Sequence, residues 1–308
     1  MKLEITEPIE LSEEETALVA AHSLFNAVNV LASRFLLLEN AAGRPGGLSK
    51  SLEICRDLIS SFHSREKTRE SIDHIESLEA VFREEVDHIL LKALEDSSFI
   101  PARCEEMDKL AKNIEGVMDV LHTRVRELFL LREAPGEWIS IQAEDIKSNL
   151  RLFLEAVAAN SRGRFGIVYE EGDKTDSGYL VQLSLSGVKE DGSMFIPIVL
   201  QDTLRDLVAN ARKYTTVGGR IKALLECNEN EVVLEVSDNG LGIPEGEIAK
   251  SVRFGYRASN VEDRETKGGG FGLTKAYYVV RKFGGRMWID SSPGNGTAIM
   301  LRIPKLER

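Results

Sequence analysis

The sequence predicts an α+β protein in which an all-helical N-terminal half precedes a C-terminal half of alternating strands and helices. In the first half, apolar residues recur at helical spacing through several long segments. In the second half, short apolar runs bounded by glycine turns alternate with amphipathic helices. Pro135 and Gly136 separate the two patterns, because neither residue continues a helix. We therefore predict a helical domain at residues 1–134 and a second domain at residues 135–308.

The first helix is predicted to begin after Ser12 and to end at the break at Gly43. Ser12 and Glu15 have the spacing of a capping box, in which each residue satisfies a backbone N–H of the other. The apolar residues of this helix have the spacing of a bundle seam, and His22 lies on or beside that stripe. The seam residues are Leu18, Phe25, Val28, Leu31, Phe35 and Leu38.

Three more helical segments are predicted after the GRPGG break, at about residues 49–62, 65–97 and 101–133. The last carries a heptad seam with one interruption at Arg124, and such a seam needs a partner. Its residues are Met107, Leu110, Ile114, Val117, Leu121 and Leu128. Two arrangements remain open: helices one and four form a dimerising hairpin with an inserted helical pair, or all four helices pack within one subunit.

The segment LRDLVANARKYT, residues 204–215, predicts an amphipathic helix with one polar face. Asp206, Asn210 and Lys213 lie on that face. The amide oxygen of Asn210 suits Mg²⁺, which takes few protein ligands and completes its coordination with phosphates and water. Lys213 supplies a charge for phosphate. The opposite, apolar face consists of Leu204, Leu207, Val208 and Ala211.

Two glycine-bearing turns follow strands. A buried strand at residues 232–236 leads into DNGLGI, where Asp238 ends the strand and Gly240 and Gly242 allow backbone to approach a ligand. The carboxylate of Asp238 can accept a hydrogen bond from an exocyclic amine such as that of adenine. GNGTA, residues 294–298, lies between the short strands MWI and AIMLRI, so that Thr297 supports Asp238 from below.

Between these turns lies GGGFGL, residues 268–273, which opens an amphipathic helix. The backbone N–H groups of Gly268, Gly270 and Gly272 therefore point toward a positive helix end, where phosphates bind. Each segment alone is weak evidence, since a lone DNG is usually a turn and a lone GGG a loop. All four segments in this order indicate a nucleotide pocket.

Residues 137–308 resemble the catalytic and ATP-binding domain of sensor histidine kinases, which belong to the GHKL group of ATPases. The resemblance implies an α/β sandwich that binds ATP and Mg²⁺ beneath a mobile lid at about residues 245–270. It also implies that Tyr214, Arg257 and Leu273 belong to the nucleotide site with the residues named above. The matching motifs are the N box (206–214), the G1 box (238–243), the F box RFGYR (253–257), the G2 box (268–273) and the last box (294–298).

The segment HSLFNAVN, residues 22–29, resembles the HFLFNxxN acceptor motif of one group of histidine kinases. The resemblance implies that His22 is phosphorylated and that Asn26, one helical turn later, orients water for dephosphorylation of a partner. Ser23 stands where many of these kinases carry an acidic residue. None of His74, His88 and His122 has a comparable context. The resemblance also implies transfer of the phosphoryl group from His22 to the receiver domain of a response regulator.

Three other functions are open at the level of sequence. Asp206 stands where histidine kinases often have Asn, and it matches the acidic base of the mitochondrial dehydrogenase kinases, so a protein serine kinase is an alternative. Conformational ATPases such as gyrase and the heat-shock chaperone share the ATP fold but use a Glu in the N box and carry transducer domains after the pocket. A non-catalytic phosphotransfer scaffold is the third alternative.

Composition favours a cytoplasmic signalling protein whose partners are proteins. The net charge of −11 argues against nucleic acid as a partner. No apolar run approaches the roughly 18–20 residues of a membrane span, and the acidic opening does not resemble a signal peptide. Cys55, Cys104 and Cys227 are widely spaced, which predicts free thiols. We expect a homodimer formed through the N-terminal helices and a receiver domain as the second partner.

Overall fold

A computed structural model describes residues 2–95, 101–133, 138–159, 165–169, 178–261 and 270–305. Pro135, Gly136 and Gly268 lie outside these ranges. The chain divides into two compact units, a helical unit at residues 11–129 and a second unit that combines residues 1–10 with residues 130–308. This division differs from the predicted one at the N-terminus, because the first ten residues belong with the C-terminal unit.

The first helix of the helical unit begins and ends as predicted. The Ser12 hydroxyl accepts the Glu15 N–H at 3.1 Å, and the Glu15 carboxylate accepts the Ser12 N–H at 2.8 Å. Gly43 ends the helix with a φ of 63°, a left-handed conformation that glycine adopts without a steric penalty. The helices of this unit are α1 (Glu13–Ala42), α2 (Ser49–Ser61), α3 (Arg65–Asp73), α4 (Ile75–Leu94) and α5 (Pro101–Glu133).

The helix predicted at about residues 65–97 is interrupted at His74, which separates α3 from α4. His74 Nδ1 lies 2.8 Å from the carbonyl oxygen of Glu70. In an uninterrupted helix that carbonyl accepts the backbone N–H four residues later. The imidazole competes for the same acceptor, which is a local reason for the break.

The helices of this unit pack on one another within a single subunit. The α5 seam residues Met107, Leu110, Ile114, Val117 and Leu121 are buried in the same core cluster as the seam of α1. The ring centroids of Phe35 on α1 and Phe82 on α4 lie 5.2 Å apart within this cluster. This shared core fits the arrangement in which the helices pack within one subunit, and the choice between the two arrangements stays a prediction.

In the described part of the chain, no single helix is both long and apolar enough to cross a bilayer. Among the described residues, one bent pair of helical segments within α1, Glu13–Val19 and Leu24–Ala42, has that length and composition when the two are counted together. The two segments meet at an angle of 61°.

The second unit is built on a mixed sheet. Within the described residues the sheet has seven strands in the order β1-β8-β9-β7-β6-β4-β3, and β2 and β5 form a separate antiparallel pair. The β3–β4 and β4–β6 pairs are parallel and the other pairs are antiparallel. The elements are β1 (Lys2–Glu4), β2 (Trp138–Gln142), α6 (Ala143–Ala159), β3 (Gly166–Val168), β4 (Gly178–Ser186), β5 (Ser193–Pro197), α7 (Val199–Tyr214), β6 (Arg220–Cys227), β7 (Glu231–Asp238), α8 (Gly272–Lys282), β8 (Arg286–Ser291) and β9 (Thr297–Pro304).

Helices α6, α7 and α8 cover the sheet, so the predicted α/β sandwich is confirmed. The predicted apolar face of α7 is buried in this core, which turns its polar face away from the sheet. The predicted strands around the glycine turns are also present as β7, β8 and β9. The four sequence motifs therefore lie on defined elements, at the end of α7, at the end of β7, at the start of α8 and at the start of β9.

The N-terminal strand β1 forms one edge of this sheet. Leu3 pairs with Ile289 of β8, and the Ile5 N–H donates to the Met287 carbonyl at 2.9 Å. Ile5 is only 2% exposed. The Tyr277 hydroxyl then donates to the Glu7 carbonyl at 2.7 Å, which fixes the chain beyond the strand. Residues 2–7 are therefore part of the C-terminal fold, although they precede the helical unit in sequence.

The three cysteines are free thiols, as the sequence predicts. Cys55 is buried in the helical core, and burial raises the pKa of its thiol to about 12. Such a thiol stays protonated near neutral pH and does not act as a nucleophile.

Candidate nucleotide-binding site

The helix α7 brings a half-buried Asn210 to the first residue of α8. A β-carbon added to Gly272 would lie 3.0 Å from Asn210 Cγ and 3.1 Å from Asn210 Oδ1. Only glycine therefore leaves room for the Asn210 amide beneath the N-terminus of α8. The contact joins a candidate metal ligand to a helix end whose backbone N–H groups attract anions.

Asp238 stands at the end of β7, opposite Thr297 of β9. The Gly240 N–H donates to Asp238 Oδ1 at 2.8 Å. Burial raises the pKa of this carboxyl, whereas hydrogen bonds from the backbone N–H groups of Gly240 and Thr297 and from the side chain of Thr215 act in the opposite direction. These donors fix the orientation of the carboxylate and leave it able to accept a hydrogen bond from a ligand amine.

The turn after Asp238 is held close to the turn after β8. Gly242 has a φ of 67°, and a β-carbon there would collide with the Ser292 carbonyl. The Ser291 hydroxyl accepts the Ile243 N–H at 2.8 Å, donates to the Gly296 carbonyl and lies 2.9 Å from the Thr297 hydroxyl. The hydroxyl of Thr297 is thus linked to Ser291, and the backbone N–H of Thr297 donates a hydrogen bond to the Asp238 carboxylate.

Thr215 and Ser291 are residues of this site that sequence reasoning missed. Thr215 follows α7, its hydroxyl donates to the Ala211 carbonyl at 2.7 Å, and its side chain lies near enough to Asp238 to lower the pKa of that carboxyl. Ser291 is the last residue of β8. The signal in the sequence was weak, because each is a single hydroxyl residue at the end of an element, where such residues are common.

A cluster of cations surrounds Lys213, which lies one turn after Asn210 on α7. Burial, followed by the charges of Arg257 and Arg212, lowers the pKa of Lys213 to about 8. The ammonium also lies 5.3 Å from the centre of the Tyr214 ring. Like charges that lower a lysine pKa create a place where a bound anion is favoured, since the anion relieves their repulsion.

The F box is fixed against the start of α8. The rings of Phe254 and Phe271 stack with centroids 4.5 Å apart, and the Thr274 hydroxyl donates to the Arg253 carbonyl at 3.1 Å. Gly270 has a φ of 77°, and a β-carbon there would lie 3.0 Å from the backbone of Gly255. The F box therefore contacts both Gly270 and the first turn of α8.

Asp206 and Leu273 complete the predicted set. The Asp206 carboxylate forms an ion pair of 2.9 Å with Lys275 of α8, and it is only 13% exposed. Leu273 is half-buried and packs against the core of the sandwich. Within the described residues no group of three His, Cys, Asp or Glu side chains is arranged to hold a metal ion. Asn210 is the predicted ligand for Mg²⁺, and its position beside the N-terminus of α8 fits an ion shared with phosphates.

The comparison with family models decides which fold family this pocket represents. Residues 196–307 match the family described as histidine kinase-, DNA gyrase B-, and HSP90-like ATPase. This part of the chain is therefore similar to the ATPase domains of that family. The match begins in β5 and ends beyond β9, so it includes α7, α8 and both glycine turns of the pocket.

Several curated proteins are similar to about a third of this chain. Sensor histidine kinase WalK of Bacillus subtilis is 34% identical over 110 residues, which is 35% of this chain and 18% of that protein. Sensor histidine kinase RppB of Synechocystis is 35% identical over 100 residues, 32% of this chain and 22% of that protein. Sensor protein kinase WalK of Staphylococcus aureus is 30% identical over 112 residues, 36% of this chain and 27% of that protein. The similarity thus spans about a quarter or less of each relative.

Two solved structures are similar at 20% sequence identity. The catalytic domain of histidine kinase ThkA aligns with a TM-score of 0.39 over 55% of this chain and 98% of that chain. The mycobacterial sensor histidine kinase MprB aligns with a TM-score of 0.38 over 55% of this chain and 97% of that chain.

The predicted acceptor lies outside the ATPase domain, on α1. The backbone of His22 is helical, and its side chain lies outside the described part of the structure. Asn26 is exposed. Among the other histidines, His122 has a neighbour that the sequence did not reveal, because its Nδ1 lies 3.6 Å from Glu79 Oε1 on α4.

Proposed function

We propose that this chain is an ATP-dependent protein histidine kinase that phosphorylates His22 and passes the phosphoryl group to a response-regulator receiver domain. The observation that carries the proposal is the convergence of Asp238, Lys213 and the Asn210–Gly272 contact on one site, because each suits a different part of a magnesium nucleotide. The relatives named as sensor histidine kinases share this domain.

In the proposed mechanism Asp238 selects the base of the nucleotide. Its carboxylate accepts a hydrogen bond from the exocyclic amine of adenine. The N–H groups of Gly240 and Thr297 hold the carboxylate in place, so little reorganisation accompanies binding. A guanine base presents a carbonyl oxygen at the equivalent position, which would face the carboxylate and be rejected.

The phosphates meet the N-terminus of α8 and the Lys213 cluster. Backbone N–H groups of the G2 box donate to phosphate oxygens, and Lys213 and Arg257 add positive charge. Asn210 would hold Mg²⁺, which neutralises charge on the phosphate oxygens when it is bound. The protein thereby positions the γ-phosphoryl group and stabilises the charge that develops during transfer.

The acceptor step is a displacement at the γ-phosphorus. A neutral ring nitrogen of His22 forms the new N–P bond, the bond to the ADP oxygen breaks, and that oxygen keeps the electron pair. The proton on the other ring nitrogen is then lost to solvent. In transfer to a receiver carboxylate, a carboxylate oxygen forms the new O–P bond and the N–P bond breaks. The ring takes up a proton from solvent, which restores the neutral imidazole. Asn26, which is exposed one turn from His22, is the proposed residue for orienting water in phosphatase action.

Asp206 does not support the serine kinase alternative. A general base needs a carboxylate that can reach the acceptor hydroxyl, whereas Asp206 is mostly buried and ion-paired with Lys275. The assembled pocket also gives no support to a non-catalytic scaffold. The conformational ATPases share the family of this domain, but the acceptor motif at His22 favours phosphotransfer.

The predicted homodimer remains part of the proposal. The intrachain core uses the seam residues of α1 and α5, so a dimer would need another face. An exposed stripe of α1 without any charged residue, consisting of Asn26, Asn29, Ser33, Leu36 and Asn40, is available for a second copy or for a receiver domain. The cytoplasmic location likewise stays a prediction.

The decisive experiment incubates the full chain with γ-labelled ATP and then divides the product between mild acid and mild base. Phosphohistidine is lost in acid and survives base, whereas phosphoserine survives acid. We expect acid-labile label in the wild type, no label in His22→Gln, and none in Asn210→Ala because Mg²⁺-dependent nucleotide binding is lost.

The matched control is His88→Gln, since His88 is an exposed histidine on α4 in the same helical unit. This variant should be labelled like the wild type. Acid-stable label, or acid-labile label that persists in His22→Gln, would contradict the proposal and move the acceptor to another residue.

A further inference from the structure

Lys275 on α8 is a buried cation that the proposed nucleotide contacts do not use. It is 4% exposed and forms ion pairs with Asp202 and Asp206, both on α7. The Asp206 pair measures 2.9 Å. A buried ammonium is stable only when it is paired, so this arrangement is a specific connection between the two helices and not a solvated surface contact.

The paired residues are in register with the metal-ligand candidate. Asp202, Asp206 and Asn210 succeed one another at intervals of four residues, which places them in one column along α7. On α8, Gly272 and Lys275 lie three residues apart, also on one face. The two columns face each other, because Gly272 contacts Asn210 and Lys275 contacts Asp206.

The charges of this cluster are balanced. Arg205 lies 3.6 Å from the other oxygen of Asp202, so two cations face two carboxylates. Burial by itself would lower the pKa of Lys275, but the carboxylates of Asp202 and Asp206 outweigh it and raise the pKa overall. Lys275 therefore stays charged near neutral pH.

We propose that Lys275 is a positioning residue that sets the spacing of α7 and α8, so that Asn210 and the backbone N–H groups at the start of α8 engage one magnesium nucleotide together. The inference rests on the proposed nucleotide function. Asn210 lies one turn beyond Asp206 on α7, and the N-terminal end of α8 lies one turn before Lys275. The ion pairs of Lys275 therefore fix the distance between Asn210 and the N-terminal end of α8. A misplacement of about 1 Å in such a site costs up to roughly a hundredfold in activity.

The test measures ADP binding to the full chain by titration calorimetry, with and without Mg²⁺, so that no phosphoryl transfer is needed. In the wild type we expect Mg²⁺ to increase the affinity for ADP. In Lys275→Met we expect this Mg²⁺-dependent gain to fall by about tenfold or more, while the affinity without Mg²⁺ stays close to that of the wild type. Lys275→Arg, which keeps a cation between the carboxylates, should retain more of the gain than Lys275→Met.

A folded Lys275→Met chain with the full Mg²⁺-dependent gain would overturn the inference. Equal losses with and without Mg²⁺ would also overturn it, because they would indicate a merely structural role. If Lys275→Met does not fold, the charge-balanced variant Asp206→Asn/Lys275→Met, which leaves Asp202 paired with Arg205, replaces it, and the same two outcomes decide. Absence of ADP binding in the wild type would instead refute the nucleotide site itself.

Discussion

Replacing Gly272 with alanine should separate the function of the nucleotide site from the stability of the fold. The added β-carbon would lie 3.0 Å from Asn210 Cγ, 3.1 Å from Oδ1 and closer still to Nδ2. Real β-carbons do not approach heavy atoms that closely, so something must move. The obstacle is the end of a rotatable side chain and not backbone, and we therefore expect the Asn210 amide to turn away.

The expected cost in stability is small. Gly272 begins α8 without a left-handed φ, so alanine fits the backbone, and alanine is favoured over glycine in helices by up to about 1 kcal/mol. A strained rotamer of Asn210 costs about 0.5–1.5 kcal/mol in the opposite direction. These two contributions nearly cancel, so the melting temperature should change by only a few degrees.

The expected cost in binding is large, because the side chain that moves is the proposed ligand. The loss of one interaction with a charged partner costs about 1.5–3 kcal/mol, which corresponds to a roughly ten- to hundredfold weaker Kd for Mg²⁺-ADP. The assay is nucleotide titration beside thermal unfolding of the same samples. Gly116→Ala on α5 is the matched control, since a β-carbon there meets no atom within 4 Å and its φ is ordinary.

Undiminished affinity for Mg²⁺-ADP in Gly272→Ala would refute the reasoning, because it would show that Asn210 is not held at the nucleotide by the glycine contact. A large loss of stability would refute it as well, since the clash would then involve more than a side-chain end.

Two further predictions concern charge and the N-terminal strand. Because the pKa of Lys213 is lowered to about 8, the lysine loses its charge as the pH rises through that value. The affinity for ADP should therefore decline between about pH 7 and 9, and Lys213→Arg should remove this decline. The same pH profile of ADP affinity in Lys213→Arg and in the wild type would contradict a role of Lys213 in binding phosphate. Ile5→Ala should destabilise the sandwich by about 2–5 kcal/mol and lower the temperature of its unfolding transition in calorimetry, because Ile5 is buried. Val217→Ala, at an exposed position, should leave that temperature unchanged. An unshifted unfolding temperature in Ile5→Ala would show that β1 is dispensable.

Local sequence patterns predicted most of the secondary structure that surrounds the site. The Ser12–Glu15 capping box, the buried face of α7 and the strands beside the glycine turns are present as expected. These features depend on spacing of 2.0 or 3.6 residues and on turn chemistry, which act within one element. The long helix predicted at residues 65–97 was wrong at His74, where an imidazole competes with the backbone for one carbonyl.

Features that depend on contacts between distant residues were not visible in the sequence. The strand β1 is only three residues long, too short for a reliable alternation, and it is defined by its pairing with β8 more than 280 residues away. The companion of His122 on α4 was missed for the same reason. Thr215 and Ser291 belong to the site only because two turns and a helix end meet around Asp238.

Sequence by itself determined that this protein has a helical part, and it predicted a nucleotide pocket because the motifs around Asn210, Asp238 and Gly272 combine specific residue types with local spacing. The tertiary structure decided how these residues are held. Packing of α8 on α7 places Gly272 against Asn210 and buries Lys275 between two carboxylates. The ion pair with Lys275 keeps Asp206 from acting as a free base, and the sequence could not reveal it because Lys275 lies on a helix distant in sequence.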